Sequence, residues 1–461
     1  MKTRLTSTLI LFALALLAFG CAMQTRKAAT VVETPPETTP DPRALDHFIR
    51  GVVLDQQGEV TRAISEYRRA LKYDSTAASI YLALAEDYVA LKLYDDAMLQ
   101  LYAALQLDST NVAALEFLSD LMLEAGQFDS AISLARRLIT LNPDEIRYKR
   151  NLAGIFLRLN QPAEAIIQYE EILKQHPDDA ETLSQMSSLY IALKDFQKAL
   201  DVSRRLYALD STDDRVNFTI ASLLAELKRP AEADSFFARA IDLNPDDPRY
   251  FTNWAYLHIS EKDYLRAIDI LHKGALHHPR AAEIWAMLGS AYERAGQDSS
   301  ALKALDHALE LDATQLGPYI TLGYIYDDRG EFEKALEVYN QALAIAPDDP
   351  LLLNNYAYLL AQRKIRLDEA LDKVQRALVK SPDNPSYLDT MGWVYFGLGD
   401  YQKAMQFLRL ALEKDAENGT ILEHLGDVYE ALGDRPNARA YWLKSLDFDP
   451  NNAKIREKLA K

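Results

Sequence analysis

Twelve alanines set the terms for this chain. Ala63, Ala97, Ala131, Ala165, Ala199, Ala233, Ala267, Ala301 and Ala335 stand 34 residues apart without exception; Ala370 follows at 35, and Ala404 and Ala438 at 34 again. Each sits in a similar phrase, such as FEKALEVYNQALAIAPDDP at 332–350, YDDAMLQLYAALQLD from Tyr94, FDSAISLARRLITLNPDE from Phe128 or YQKAMQFLRLALEKD from Tyr401. A fixed period of this length means one supersecondary unit used many times, each copy leaning on its neighbours.

With the alanine as position 20, position 8 reads Gly51, Ala85, Ser119, Ala153, Ser187, Ala221, Ala255, Gly289, Gly323, Ala357, Gly392, Gly426, small in every copy. Position 32 is proline in seven copies, from Pro143 and Pro177 to Pro450, and proline ends a helix because it lacks an N–H and clashes with the preceding turn. Position 15 is Gly58, Gly126, Gly296, Gly330, Gly399 or Gly433, with Lys or Asn in the other copies, the residues a tight turn between helices would want. Each copy is therefore two short amphipathic helices, and small residues at 8 and 20 let them approach closely. One hairpin of this length cannot bury enough apolar surface to offset the entropy of ordering it, so its faces must be covered by the hairpins on either side.

This pattern resembles the tetratricopeptide repeat. The resemblance covers Ala44 to Asn452 and includes the family's aromatic positions, with Tyr88, Phe156, Tyr190, Tyr292, Tyr326, Tyr395 and Tyr429 at position 11 and Tyr67, Tyr169, Phe237, Tyr339 and Trp442 at position 24. It implies an all-α fold, a right-handed superhelical solenoid of about twelve helix-turn-helix repeats. Two departures stand out. Leu138, Ile172 and Leu206 replace the usual small residue at position 27 in copies three to five, which predicts looser or differently angled packing, and the extra residue in QRKIRLDEA, Gln362 to Ala370, predicts a longer turn. After copy twelve, residues 453–461 read as a charged capping segment.

The N-terminus reads differently. Lys2 and Arg4 precede the apolar run Leu9–Gly20, too short to span a bilayer, and the protein's single cysteine follows at Cys21. Leu17-Ala18-Phe19-Gly20-Cys21 resembles a bacterial lipobox displaced by one residue, which implies lipidation of Cys21; an ordinary signal peptide with an incidental cysteine is the other reading of residues 1–21. Ala22 after the cysteine, in place of Asp, implies an exported outer-membrane lipoprotein facing the periplasm, joined to the membrane through its N-terminal lipid anchor. Residues 22–43, rich in Thr and Pro, have little to bury and read as a disordered tether.

Function must come from what the repeats leave variable. Tetratricopeptide arrays bind segments of other proteins in an inner groove lined mainly by the first helix of each repeat, where positions 2, 5, 9 and 12 make one stripe. Position 9 changes along the chain, from Glu86, Asp120, Gly154, Ser188 and Ser222 in copies two to six to Tyr256, Tyr324, Tyr358 and Trp393 later. These four rings are candidate anchors for other proteins or extended peptide segments, or else core between helices. At position 6, Asn151, Asn253 and Asn355 resemble a broken form of the asparagine ladder by which some members grip a peptide backbone; local hydrogen bonds within the hairpin are the alternative.

Charge and motifs restrict the rest. Against 51 Lys+Arg stand 68 Asp+Glu, a net charge of −17 that repels phosphate backbones, so nucleic acid is not an expected partner. No metalloprotease, P-loop or nucleophile-elbow motif is present; Ser300-Ala-Leu-Lys303 lacks its partner motifs, and His272, His277 and His278 read as a solvated helix end rather than a metal site. Neither an enzyme, a cofactor, a metal nor a small-molecule substrate is expected. Copies nine to twelve are similar in wording to bacterial envelope lipoproteins of the family that present substrates to periplasmic processing proteases or recruit cell-wall hydrolases. The expectation is a membrane-anchored adaptor; the alternative is a pilotin-like assembly factor or a structural part of a secretion, pilus or polysaccharide-export machine.

Overall fold

The structure, a computed structural model, describes residues 41–460. Cys21, the rest of residues 1–21 and the tether up to residue 40 lie outside the described residues. Those described form 25 helices and no strand. None of these helices is long and apolar enough to cross a membrane. They fall into two compact units, the first ending at Asn160 and the second beginning at Gln161. The first unit holds seven helices, from Pro42–Gln56 to Ile146–Arg158; the second holds the other eighteen, from Pro162–Gln175 to Ala453–Ala460.

The period has a direct structural cause. All twelve position-20 alanines have no exposed surface, and every position-8 residue is buried. In several copies the position-24 side chain presses so close that position 8 has room only for glycine. A Cβ on Gly323 would lie 2.4 Å from the Tyr339 ring, and one on Gly426 would lie 2.4 Å from the Trp442 indole. In copy five both positions are serine, and the Ser187 and Ser203 hydroxyls bond each other at 2.8 Å in the buried interface.

The turns follow the same logic. Every position 15 lies in the left-handed region, including Lys92, Asn160, Lys194, Lys228, Lys262 and Lys364, at φ between 54° and 61°. The extra residue of copy ten does not lengthen its turn. It extends the first helix to Pro350–Arg363, 14 residues where copies two to nine, eleven and twelve have 13, and the short turn then needs two left-handed residues, Lys364 and Arg366.

Repeat ends without proline use another device. Asp74, Asp108, Asp210 and Asp312 each accept hydrogen bonds from the backbone N–H and the hydroxyl of the threonine two residues on, at 2.6–2.9 Å. The side chain thus closes the turn that proline enforces elsewhere. Two of the bulky position-27 residues are absorbed, Leu138 and Ile172 being 3% and 0% exposed, whereas Leu206 in copy five is only partly buried.

The last helix covers the end of the second unit. Ile455 is fully buried against Tyr429, Ala438 and Trp442, and Lys458 reaches Asp427 and Glu423 at 2.7 and 2.8 Å. Among the described residues nothing covers the outer stripe of the first unit's first helix in this way: Leu45, Ile49 and Val53 are 45–53% exposed.

Candidate protein-binding surface

Within the second unit, the first helices of copies six to nine, and again of ten to twelve, lie side by side in chain order. Their positions 5, 6, 9 and 12 therefore form a strip along each of these two runs. The four predicted anchors divide into two kinds. Tyr256 and Tyr324 are each 65% exposed. Tyr358 and Trp393 are partly buried. Trp393 lies between Phe396, stacked at 4.6 Å, and His424, stacked at 4.0 Å, while the Tyr358 ring is 6.3 Å from His424.

His424 and Asp389 are site residues that the sequence reading missed. His424 is buried, and its Nδ1 lies 2.8 Å from Asp389 Oδ1. Burial works against an imidazolium here, but the Asp389 carboxylate, with its hydrogen bond and the further charges of Asp427 and Glu423, holds the imidazole above its ordinary range. A charged ring stacked on indole gains a cation–π contribution. The pair joins position 5 of copy eleven to position 6 of copy twelve, so comparing neighbouring copies at those positions would have found it.

The asparagines behave mostly locally. Asn253 donates from Nδ2 to the Arg249 carbonyl at 2.8 Å, and the threonines at position 6 do the same, Thr219 to Arg215, Thr321 to Gly317 and Thr390 to Ser386. Asn355 Oδ1 accepts from Asn354 at 3.4 Å, and the buried Asn354 Oδ1 is itself without a hydrogen-bond partner. Asn151, in the first unit, is exposed. The histidines near Pro279 diverge: His272 meets the Tyr292 hydroxyl at 2.5 Å, His277 stacks on Phe251, and His278 meets the Pro245 carbonyl at 2.8 Å. Among the described residues no group of three side chains is placed to hold a metal ion.

The first unit carries acids where the second carries rings. Asp87 is 3% exposed and hydrogen-bonded to Asp55, which also accepts from the Tyr67 hydroxyl at 2.9 Å; the second carboxyl oxygen of Asp87 has no partner. Burial first, then the bond and charge of Asp55, push the Asp87 carboxyl up to about 8, so it holds its proton at neutral pH. Glu86 is raised by burial and Asp55, and Asp120 by burial, Glu116 and Glu124.

Stacked helical hairpins with a conserved internal closure and a variable strip are the mark of a repeat scaffold for protein interaction. Family models described as tetratricopeptide repeat match residues 50–112, 94–155, 122–189, 190–252, 282–315 and 318–448. The chain belongs to the tetratricopeptide repeat family. It is 23% identical over 286 residues to the bovine (Bos taurus) BBSome complex member BBS4, covering 62% of this chain and 54% of that protein. It is 24% identical over 229 residues to the human (Homo sapiens) protein O-mannosyl-transferase TMTC1, covering 49% of this chain and 26% of that one. The chain thus spans about half or less of the length of such relatives. Among solved structures, the APC/C hetero-tetramer Cut9-Hcn1 aligns over 91% of this chain and 96% of that chain, with 15% identity and a TM-score of 0.46.

Proposed function

We propose that this protein is an envelope adaptor, held at the outer membrane by a lipid on Cys21 and presenting the first-helix strip of its second unit to partner proteins in the periplasm. The observation that carries the binding role is the exposure of Tyr256 and Tyr324, each 65%, on a scaffold that buries the neighbouring Ala255 completely and hides Gly323 behind Tyr339. Large rigid aromatics cost little entropy to immobilise and serve as interface anchors. The finer reading, presentation of substrates to a periplasmic protease or cell-wall hydrolase, draws on the wording of copies nine to twelve.

Crosslinking in whole cells, with bound proteins read by mass spectrometry, tests this. Tyr256→Ala with Tyr324→Ala should lose the captured partners while helix content and melting stay as in the parent. An unchanged set of captured proteins sinks the binding role. Cys21→Ser should move the protein out of the membrane fraction and abolish labelling by a fatty-acid analogue; retention on the membrane rules the anchor out.

A further inference from the structure

A cavity of about 600 Å³ opens between the first helices of copies five and six, lined by Ile191, Phe196, Phe218, Thr219, Ser222 and Leu223, with Lys194 and Glu226 at its edge. We propose that it receives one aromatic side chain of an extended partner segment; this rests on the adaptor reading above and names what the strip recognises.

The chain itself provides the template. Ser188, position 9 of copy five, corresponds to Trp393 of copy eleven; Ile191 corresponds to Phe396, and Thr219 of the next copy corresponds to His424. In copies eleven and twelve the indole of Trp393 lies against the equivalents of two of these lining residues, stacked on Phe396 and His424 at 4.6 and 4.0 Å. In copies five and six both position-9 residues are serines, Ser188 and Ser222, and Ser222 lines the open cavity. Neither copy supplies a position-9 ring beside the cavity.

Its walls favour an apolar occupant. Thr219 donates its hydroxyl to the Arg215 carbonyl at 2.8 Å and Ser222 donates to the Phe218 carbonyl at 2.9 Å, so both hydroxyl protons are already engaged within the helix. Phe218 is fixed from behind, stacked on Tyr250 at 4.7 Å and edge-on to Phe237 at 5.9 Å, so the floor is formed in advance. About 150 Å³ of apolar space already takes a benzene ring, so this volume admits an indole with part of the chain that carries it. Lys194 and Glu226 supply one donor and one acceptor for that chain's peptide groups.

The test uses the full chain and a phage library of random nonapeptides, with N-acetyl-tryptophanamide as a small probe. Selected peptides should share one Trp, Phe or Tyr. Ser188→Trp and Ser222→Trp, which place on this strip the residue type copy eleven already carries, should each weaken those peptides at least ~10-fold without lowering the melting temperature. The amide probe should shift the methyl resonances of Ile191 and Leu223 in the parent chain, a reading that needs neither variant to fold. Selected peptides without a shared aromatic, parent-like binding by both variants, or no shift at those methyls overturns the proposal. Peptides lost on Tyr256→Ala with Tyr324→Ala but kept by both serine variants would remove the cavity and leave the adaptor reading standing. If the parent captures no peptide, both fall.

Discussion

The same position of the same repeat carries Glu86 and Asp120 in the first unit and Tyr256, Tyr324, Tyr358 and Trp393 in the second. Both sets sit on hairpins closed in one way, by a fully buried alanine at position 20 and a small buried residue at position 8. The difference teaches that this scaffold separates two duties by one residue. Position 8 must be small or the hairpin cannot close, whereas position 9, its neighbour in sequence, is free to be acid, hydroxyl or ring. The two units consequently offer different chemistry without any change of fold. Burial and neighbouring acids raise the carboxyls of Glu86, Asp87 and Asp120 in the first unit, and the second presents aromatic rings, with a buried His–Asp pair beside Trp393.

The separation is broken most severely by enlarging position 8. Gly323→Val should cost about 3 kcal/mol, since the added carbons meet the Tyr339 ring, which is itself buried and cannot retreat. Chemical denaturation of the parent and variant would measure this. A loss below about 1 kcal/mol would mean that hairpin closure is softer than the period implies.

In the first unit, Asp87→Asn should stabilise the protein by roughly 1–3 kcal/mol at pH 8 and by nearly nothing at pH 4. The sign follows from the raised carboxyl. The folded state keeps a proton that the unfolded chain releases above the ordinary value of 3.8, so stability falls as pH climbs from about 4 to about 8 and is level above that. Asparagine can keep the bond to Asp55 without ionising. Melting curves across pH check this, and parallel curves for the two proteins would refute the shared-proton account.

In the second unit the sign is reversed in origin. The His424 imidazole is raised, so its contribution is complete below the ordinary value of 6.5 and is lost as pH rises through the raised one. His424→Gln should cost about 1–2 kcal/mol at pH 6 and progressively less in alkaline buffer. The indole fluorescence of the protein, to which Trp393 contributes, should follow the same pH course. Equal cost at every pH would show that the pair acts by packing rather than by charge.

Most of the fold was legible from within one copy. Positions 8, 15, 20 and 32 each have a local cause, and the left-handed Lys and Asn residues at position 15 fall where the glycines of other copies do. What escaped was what joins one copy to the next. Asp55 with Asp87 and Asp389 with His424 lie 32 and 35 residues apart, contacts that no periodicity inside a copy can signal. The Asp-x-Thr turns escaped because a side-chain acceptor replaces proline with different letters. The candidate rings were only half legible for the same reason: whether an aromatic at position 9 is free or packed depends on position 6 of the following copy. Beside His424, Trp393 is covered; followed at position 6 by Met287 and Asn355, Tyr256 and Tyr324 remain open.

That dependence gives the smallest expected effect and the sharpest use of the comparison. Tyr324→Ala should change stability by no more than about 0.5 kcal/mol, because a side chain 65% exposed in the free protein gives up little burial when truncated. Trp393→Ala, at the equivalent position two copies on, should cost roughly 1–3 kcal/mol, since it empties the space between Phe396 and His424 and leaves the imidazolium without its indole. The pair of variants, melted side by side, separates a ring kept for a partner from a ring kept for the fold. If Tyr324→Ala proves as costly as Trp393→Ala, the exposed tyrosines are structural after all, and the strip has to be sought at the acids of the first unit instead.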